Sequence, residues 1–377
     1  MVADRAYLAG GRIGPGLKRL DRELARIMAV LRSTGAMTVE PAALQPAEVL
    51  LDLYGEDIRA RAFVTRDEGA EMMLRPDFTV PIVRLHMDAG AEPARYVYSG
   101  PVWRRQDAGS TRPREYLQAG FEVFEGGDPA AHDAEVLALV TEALGGAPVD
   151  LVTGDLGLVL AAIDALATSP ARKAALRRHV WRPARFHALL RQFGEEHGEA
   201  RARRATLLAA EAEGRTRTLV GAGTAVGVRG ADEVLARVAH LAEEATTPPL
   251  DPGEVARIEA VLAVGGPAPG AVGELRGLAR GVPGLAAAVD RLEARLAAFA
   301  ARGLRTDDLR FEASFGRTSL EYYDGMVFGA LPRERDDLPP VASGGRYDAL
   351  TRVLGGGAGI PAVGGIVRPE ALVALCG

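Results

Sequence analysis

The stretch RYVYSGPVWRRQDAGSTRPREYLQAGFE, residues 95–122, decides the fold of this chain. Between Arg95 and Arg104 apolar side chains alternate with polar or small ones, and a less regular alternation runs from Arg114 to Phe124. This period of two predicts the two strands of an antiparallel hairpin. The loop between them is rich in arginine. The residues alone leave two interpretations open: a hairpin that presents a small-molecule pocket, or an exposed hairpin whose arginines are solvated.

Patterns before and after this hairpin predict both helices and strands. Apolar residues recur at helical spacing over residues 17–31, which predicts an amphipathic helix that Gly35 can end. Residues 63–75 predict a second hairpin with its turn at 67–69, and a helix is expected from about residue 130 to 144. The first half of the chain therefore mixes the two kinds of element.

The middle of the chain differs from its ends in composition. Residues 155–303 are rich in Ala, Leu, Arg and Glu, and their helical spacing is interrupted by breaks that contain proline or glycine. This stretch predicts a set of helices with short loops. Strand patterns return at 309–315 and 319–331, and a short helix is expected near Glu370.

The length of 377 residues fits one large domain with an insertion, or two domains. We expect a core formed by residues 1–154 and 305–377, with a helical insertion and connecting helices at 155–304. The expected fold class is α+β.

Composition excludes several classes of protein. With 48% apolar and 25% charged residues the chain has an ordinary soluble composition, and no run approaches the length of a membrane span or a signal peptide. The net charge of −5 argues against broad nonspecific binding of nucleic acid. The single cysteine, Cys376, allows no internal disulfide framework, so a reducing cytoplasm is the expected location.

The sequence carries no pattern for a metal or a phosphate cradle. Its six histidines are scattered without an i,i+4 pair, and a lone cysteine adds no zinc pattern. The glycine run at 355–357 lacks a following lysine. We expect no metal and no cofactor.

Four motifs, in order along the chain, resemble those of class II aminoacyl-tRNA synthetases, and of histidyl-tRNA synthetase in particular. Within 95–122, G-x-V-x-R followed by R-x-R-x-x-x-Q and then a glutamate resembles motif 2. LRPDFT at 74–79 resembles L-R-P-E-x-T, LEYY at 320–323 resembles the histidine-recognition L-D-Y-Y, and GGRYD at 344–348 matches the family's G-G-R-Y-D. The resemblance implies a class II synthetase-like core, with a mixed, mainly antiparallel β-sheet flanked by helices.

The resemblance also implies a histidine site. A free amino acid presents an ammonium, a carboxylate and here an imidazole, so its site needs acceptors, a cationic or backbone donor and partners for both ring nitrogens. By resemblance, Asp77, Thr79 and Gln118 take the ammonium, while Glu122 and Tyr323 bracket the imidazole. The expected histidine-binding residues are Asp77, Thr79, Arg104, Gln118, Glu122, Tyr322 and Tyr323.

Structural roles are open for several of these residues. Tyr322 and Tyr323 could fill the core from a strand. Asp77 and Thr79 could cap a helix that begins at Val80, because Asp and Thr are good N-caps. A capping role does not exclude binding.

Departures from the family pattern concern the groups that bind ATP. Arg104 stands where the motif 2 arginine belongs, but Thr318 replaces the arginine of the histidine motif. Arg317 is one residue away, and on a strand a shift of one points it to the opposite face. At motif 3 the family's G-L-E-R is replaced by RPEA at 368–371, so Ala371 stands where an ATP-binding arginine is expected. We expect no catalytic residues and no synthetase activity.

A synthetase-like core with a histidine pocket, damaged ATP chemistry and no expected anticodon-binding domain resembles the family of ATP phosphoribosyltransferase regulatory subunits. The resemblance implies a non-catalytic subunit, with histidine as effector, that is required for the activity of a short-form catalytic subunit and for its feedback inhibition. It further implies self-association within a hetero-oligomer, with neither tRNA nor membrane as a partner.

Two alternatives remain open. An amino-acid-activating ligase related to histidyl-tRNA synthetase would need ATP binding, against which Thr318 and Ala371 argue. An RNA-binding paralogue would need a basic face. For that face the helical stretch offers the runs 172–191 and 201–204, which are more typical of solvated helices.

Overall fold

Strands gather into a large and a small sheet within the larger of two compact units. The computed structural model describes residues 12–47, 60–107, 110, 112–194, 205, 208–218, 230–317 and 322–377. One unit comprises Met1–Ala162 with Ala260–Gly377, and the other comprises Ile163–Glu259.

The elements are numbered in chain order within these described residues. The strands are β1 (Met37–Thr38), β2 (Leu44–Pro46), β3 (Val64–Asp67), β4 (Ala70–Leu74), β5 (Ala94–Trp103), β6 (Glu115–Phe124), β7 (Val149–Asp155), β8 (Gly265–Pro267), β9 (Arg310–Glu312), β10 (Met326–Pro332), β11 (Ala342–Arg346) and β12 (Ala362–Val367). The helices are α1 (Pro15–Arg32), α2 (Thr79–Ala89), α3 (Pro129–Ala143), α4 (Leu156–Asp164), α5 (Pro170–Arg178), α6 (Pro183–Gly194), α7 (Ala231–Thr246), α8 (Pro252–Ala263), α9 (Ala268–Leu278), α10 (Pro283–Ala301), α11 (Asp348–Leu354) and α12 (Pro369–Cys376).

The large sheet has the order β1-β5-β6-β12-β11-β10-β7-β9-β8 among the described strands. Its pairs are parallel between β1 and β5 and between β7 and β9, and antiparallel elsewhere. Strands β5 and β6 are each 10 residues long and pair from Ala94↔Phe124 to Trp103↔Glu115. The hairpin predicted from residues 95–122 is confirmed, and so is the α+β class with a mixed, mainly antiparallel sheet.

Helix α3 covers one face of this sheet. It packs on β6, β11 and β12, and both α1 and α10 pack against it. A Cβ atom added at Gly365 would lie 3.0 Å from Val140 and 3.2 Å from Val136 of α3. Because successive residues of a strand point to opposite faces, Gly364 and Ile366 face away from α3. That other face is the one from which the polar side chains of β6 emerge.

Two local predictions are confirmed. Helix α1 buries Leu20, Ile27 and Leu31 at helical spacing, as the pattern over residues 17–31 indicated. In the small sheet, of order β2-β4-β3, strands β3 and β4 pair up to Asp67↔Ala70. The two residues between them, Glu68 and Gly69, have φ of 48° and 89°. Positive φ at both central positions is what a two-residue hairpin turn requires.

The smaller unit is helical where it is described. Helix α6 buries Phe186, Leu190 and Phe193, and the buried Arg172 of α5 pairs with Glu244 of α7 at 2.8 Å. These residues belong to the stretch predicted to be a set of helices, and that prediction is confirmed for them.

The division between the units differs from the expected boundary. Residues 260–304 lie in the unit of the large sheet instead of in a helical insertion. The GGP segment at 265–267, which interrupts the helical pattern, forms the edge strand β8 and pairs with β9, while α10 packs on α3. The residues that interrupt the helical pattern thus form a strand of the large sheet.

The strands predicted near the end of the chain are only partly correct. In 309–315, β9 covers Arg310–Glu312 and a turn follows at 313–317. In 319–331, the strand begins at Met326, so the expected strand at 322–325 is wrong. Thr318 and residues 319–321 lie outside the described residues. Arg317 is buried in the turn, so the strand argument about its orientation does not apply.

No helix in the described ranges is long and apolar enough to cross a bilayer. Within the same residues, no group of three or more His, Cys, Asp or Glu side chains is arranged to hold a metal ion.

A buried ion network joins α3 and α10 to the large sheet. Asp133 of α3 accepts hydrogen bonds from Arg295 Nε of α10 and Arg346 Nη2 of β11, each at 2.7 Å. Arg295 Nη1 also donates to Asp155 Oδ2 at the end of β7, at 2.7 Å. All four side chains are buried. Asp133 therefore bridges two guanidinium groups that have little access to water.

We predict that Asp133→Ala lowers the free energy of unfolding by about 3–5 kcal/mol, because breaking a buried ion network leaves charges without a partner in a poorly solvated site. Urea unfolding followed by circular dichroism measures the loss. Asp150→Ala is the matched control, since Asp150 pairs with Arg333 at the surface and such pairs add little. Equal stability of the two variants would contradict the role of the network.

Candidate ligand site on the open face of the large sheet

A cavity of about 460 Å³ lies over the face of the large sheet that α3 does not cover. Six of the seven residues expected to bind histidine line it: Asp77, Thr79, Arg104, Gln118, Tyr322 and Tyr323. The seventh, Glu122, is not among the lining residues and lies beneath Thr79, to which it is hydrogen bonded. The structure thus brings together residues that are up to 246 positions apart in the sequence, from Asp77 to Tyr323.

The register of three strands places two glycines where side chains of the site need room. Gln118 and Glu122, four residues apart on β6, point to the same face. Gly364 of β12 lies directly opposite Glu122 in the ladder, and a Cβ atom there would collide with the Glu122 carboxylate. Gly345 of β11 pairs with Gly364, and a Cβ atom at Gly345 would lie 2.8 Å from the Tyr323 ring. Glycine at these two positions makes room for the carboxylate and the ring.

Glu122 is buried and accepts hydrogen bonds from three hydroxyl groups. Tyr98 of β5 and Thr79 of α2 donate to Oε1 at 2.8 and 2.9 Å, and Tyr347 donates to Oε2 at 2.5 Å. Burial raises the pKa of Glu122 to about 7, although the three hydroxyl donors act in the opposite direction; the nearby carboxylate of Asp77 raises it further. The carboxyl group therefore fixes side chains from three parts of the fold.

This arrangement determines what Thr79 offers to the cavity. A hydroxyl group has one hydrogen to donate and two lone pairs to accept with. Because Thr79 gives its hydrogen to Glu122, it presents an acceptor to the cavity that it lines. Its place at the first residue of α2 is close to the predicted cap position, but its side chain makes no capping bond to the helix.

Asp77 and Gln118 add two more acceptors. Asp77 is buried, and its Oδ1 accepts a long hydrogen bond of 3.4 Å from the Val80 amide near the start of α2 while the residue also lines the cavity. Gln118 is 1% exposed, and its Oε1 has no hydrogen-bond partner among the described residues. A buried acceptor left without a donor costs about 1–3 kcal/mol, so this oxygen is suited to a donor supplied by a ligand.

Tyr322 and Tyr323 form an aromatic wall in the loop before β10. Their ring centroids are 4.8 Å apart and both residues are largely buried. The loop is held by Asp324, whose carboxylate accepts from the amides of Asp348 and Ala349 at 3.0 and 2.7 Å. The pKa of Tyr323 is raised, mainly by burial and also by the charges of Glu122 and Asp77. A neutral hydroxyl group therefore faces the cavity.

Cationic groups occupy another part of the cavity wall. Arg104 lines it, and its Nε donates to the Pro76 carbonyl at 2.9 Å, which links the end of β5 to the 74–79 motif. Ala371 also lines it, so a methyl group stands where the family's motif 3 arginine would be. Arg368 contributes a guanidinium group that the sequence motifs did not assign to the site. The sequence pointed to this residue, because arginine at position 368 replaces the glycine of the family's G-L-E-R.

A family model described as histidyl-tRNA synthetase matches residues 15–259 and 238–372 of this chain. Two solved structures resemble the fold. One is described as an ATP phosphoribosyltransferase regulatory subunit/histidyl-tRNA synthetase from Bacillus halodurans, with a TM-score of 0.67 and 22% identity over 98% of this chain and 82% of that one. The other is histidyl-tRNA synthetase from Nostoc sp. PCC 7120, with a TM-score of 0.60 and 16% identity over 97% and 75% of the two chains. At these identities the likeness concerns the fold alone.

Curated relatives are similar over nearly their whole length. An ATP phosphoribosyltransferase regulatory subunit of Mesorhizobium japonicum is 33% identical, over 93% of this chain and 96% of the relative. A protein of the same description from Brucella canis is 32% identical, over 98% and 99%. The chain belongs to the family of ATP phosphoribosyltransferase regulatory subunits, which has the histidyl-tRNA synthetase-like fold.

Proposed function

We propose that this chain is a non-catalytic, histidine-binding subunit that a short-form ATP phosphoribosyltransferase catalytic subunit requires for activity and for feedback inhibition by histidine. The observation that carries the proposal is the buried Gln118 carbonyl oxygen, which has no partner among the described residues and lines the cavity next to other acceptors. The names of the curated relatives support the same partner.

The acceptors suit an ammonium group. Gln118 Oε1, the Thr79 hydroxyl and the Asp77 carboxylate together offer oxygen atoms and a negative charge to a ligand with three N–H donors. The aromatic wall of Tyr322 and Tyr323 provides an apolar surface and a hydroxyl group for a planar ring. An aromatic or heteroaromatic amino acid satisfies both parts of the cavity.

Glu122 has a positioning role in this proposal. Its carboxylate is occupied by three protein hydroxyls and lies beneath the lining residues, so we assign its effect on histidine to the orientation of Thr79. The imidazole ring is then bound by the aromatic wall, that is by Tyr323 together with Tyr322.

The absence of catalysis rests on the groups that an adenylation reaction needs. Stabilising charge on an α-phosphate calls for preorganised cations, and removal of one such contact typically costs about 2.7–4 kcal/mol of transition-state stabilisation. Ala371 supplies no charge at the motif 3 position. Thr318, the other departure, lies outside the described residues, and its effect is argued from the sequence.

We predict that Gln118→Leu weakens histidine binding by roughly ten- to a hundredfold, the loss expected when a hydrogen bond to a charged group is removed. Isothermal titration calorimetry on the purified chain measures the change. Gln192→Leu, an exposed glutamine of α6, is the matched control and should bind like the parent. Parent-like affinity in Gln118→Leu would place the ammonium elsewhere.

We further predict that the chain forms no histidyl-adenylate. Histidine-dependent exchange of pyrophosphate into ATP should stay at background, because the cavity lacks an arginine at the motif 3 position. An authentic histidyl-tRNA synthetase assayed in parallel shows that the reagents work. Exchange above background would favour the ligase alternative.

Feedback inhibition by histidine should weaken when histidine binding in the cavity is impaired. In a complex with a short catalytic subunit, Gln118→Leu should still raise the rate of phosphoribosyl-ATP formation but should be inhibited less by histidine, because an effector shifts activity only through its differential binding to the two states. Dose–response curves for parent, Gln118→Leu and Gln192→Leu complexes measure this. Unchanged inhibition in Gln118→Leu would locate the effector site on the partner.

A further inference from the structure

We propose that Arg368 binds the carboxylate of the amino acid in this cavity. The inference rests on the proposed histidine site and adds the residue that recognises the acid group. Arg368 is the last residue before α12, at a position where the family's motif 3 has glycine.

The register of the sheet places Arg368 beside Gln118. Strands β12 and β6 pair in register up to Val367↔Ala119. Arg368 directly follows Val367 and Gln118 directly precedes Ala119, so continuation of this register brings the two residues to facing positions. Arg368 keeps an extended backbone, with φ −103° and ψ 96°. Opposed residues of an antiparallel pair point to the same face with Cβ atoms about 4.5–5.5 Å apart. Both side chains line the cavity.

The guanidinium group of Arg368 is held in place by two neutral acceptors. Nη1 donates to the Pro340 carbonyl at 2.7 Å and Nη2 donates to Ser343 Oγ at 3.2 Å. These bonds use two of the five N–H donors of an arginine. Arg368 is half-buried and takes part in no ion pair within the described part of the chain. A charged group that is partly shielded from water gains from a counter-ion. The donors that remain are suited to a carboxylate.

The surrounding charges also favour an anion. Burial lowers the pKa of Arg368, and the positive charges of Arg104 and Arg112 lower it further. Both of these arginines line the same cavity. A carboxylate would relieve the repulsion among the three cations, and the fork of Arg368 suits its two oxygens.

The neighbouring acceptors distinguish an amino acid from a phosphate. An α-amino acid carries its ammonium and its carboxylate on one carbon atom, so the two groups can meet Gln118 and Arg368 at once. A phosphate would instead bring anionic oxygens against the Gln118 carbonyl and the Asp77 carboxylate. Gln118 Oε1 without a donor and Arg368 without an anion, as far as the described residues show, line one cavity and together fit a zwitterion.

The test compares histidine with histidinol, which keeps the ring and the ammonium but lacks the carboxylate. Calorimetry on the full chain should show that Arg368→Gln lowers histidine affinity by roughly ten- to a hundredfold and leaves histidinol affinity unchanged. Arg368→Lys, which keeps the charge but not the fork, should recover part of the loss. Arg112→Gln removes an exposed cation from the same cavity and should lower histidine affinity less than Arg368→Gln does.

Several outcomes would overturn the inference. Equal losses for histidine and histidinol would show a structural role for Arg368, and unchanged histidine affinity in Arg368→Gln would place the carboxylate elsewhere while leaving the proposed function intact. Loss of ATP binding in place of histidine binding would assign Arg368 to a phosphate. If Arg368→Gln does not fold, Arg368→Lys decides, since it should lower histidine affinity and leave histidinol affinity unchanged. Failure of the parent to bind histidine would contradict both the proposed function and the role of Arg368.

Discussion

The buried carboxylate of Glu122 is the constraint around which the site is built. It takes hydroxyl donors from β5, from the start of α2 and from the residue after β11, and it needs the absence of a side chain at Gly364. Its pKa of about 7 means that between 4.5 and 7 the folded chain holds a proton that the unfolded chain releases. The contribution of this group to stability is thus present at low pH and declines as the pH rises through that window. Burial of this carboxyl group costs free energy, and in return the group orders the side chains of Thr79, Tyr98 and Tyr347.

The cavity separates recognition of an amino acid from chemistry on ATP. Acceptors for an ammonium and an aromatic wall are retained at one part of the cavity, whereas the motif 3 position presents the methyl group of Ala371. Arginines are still present, but Arg368 is anchored to β11 through Ser343 and to the Pro340 carbonyl, beside the amino-acid groups. In the proposed function, binding energy that a synthetase applies to a transition state acts instead on the equilibrium between states of an assembly.

The sequence predicted the elements whose patterns are local. The hairpin at 95–122, helix α1 and the turn at Glu68 and Gly69 follow from periodicity and turn chemistry. Strands β11 and β12 escaped prediction because their glycines, which the site needs for space, weaken the strand pattern. The place of Glu122 beneath the cavity depends on Tyr347, 225 residues away, so no local pattern could reveal it. Arg368 was visible as a departure from the motif, but its direction depends on the register of β12 against β6.

The cavity is lined by two polar groups that are not bonded to one another, the Gln118 carbonyl oxygen and the Arg368 guanidinium group. Among the described residues Gln118 Oε1 lacks a donor and Arg368 lacks an anion, and the guanidinium group donates to the Pro340 carbonyl and to Ser343. Each costs stability, and ion networks such as that of Asp133 lie elsewhere in the unit, where they join its helices to the sheet. A zwitterion that meets both groups removes both costs at once. Since such a ligand binds the folded chain and not the unfolded one, it stabilises the fold in proportion to the logarithm of its concentration above Kd. In the proposed function, groups left unsatisfied in this way would make the cavity responsive to an amino acid, which is the property that a sensor requires.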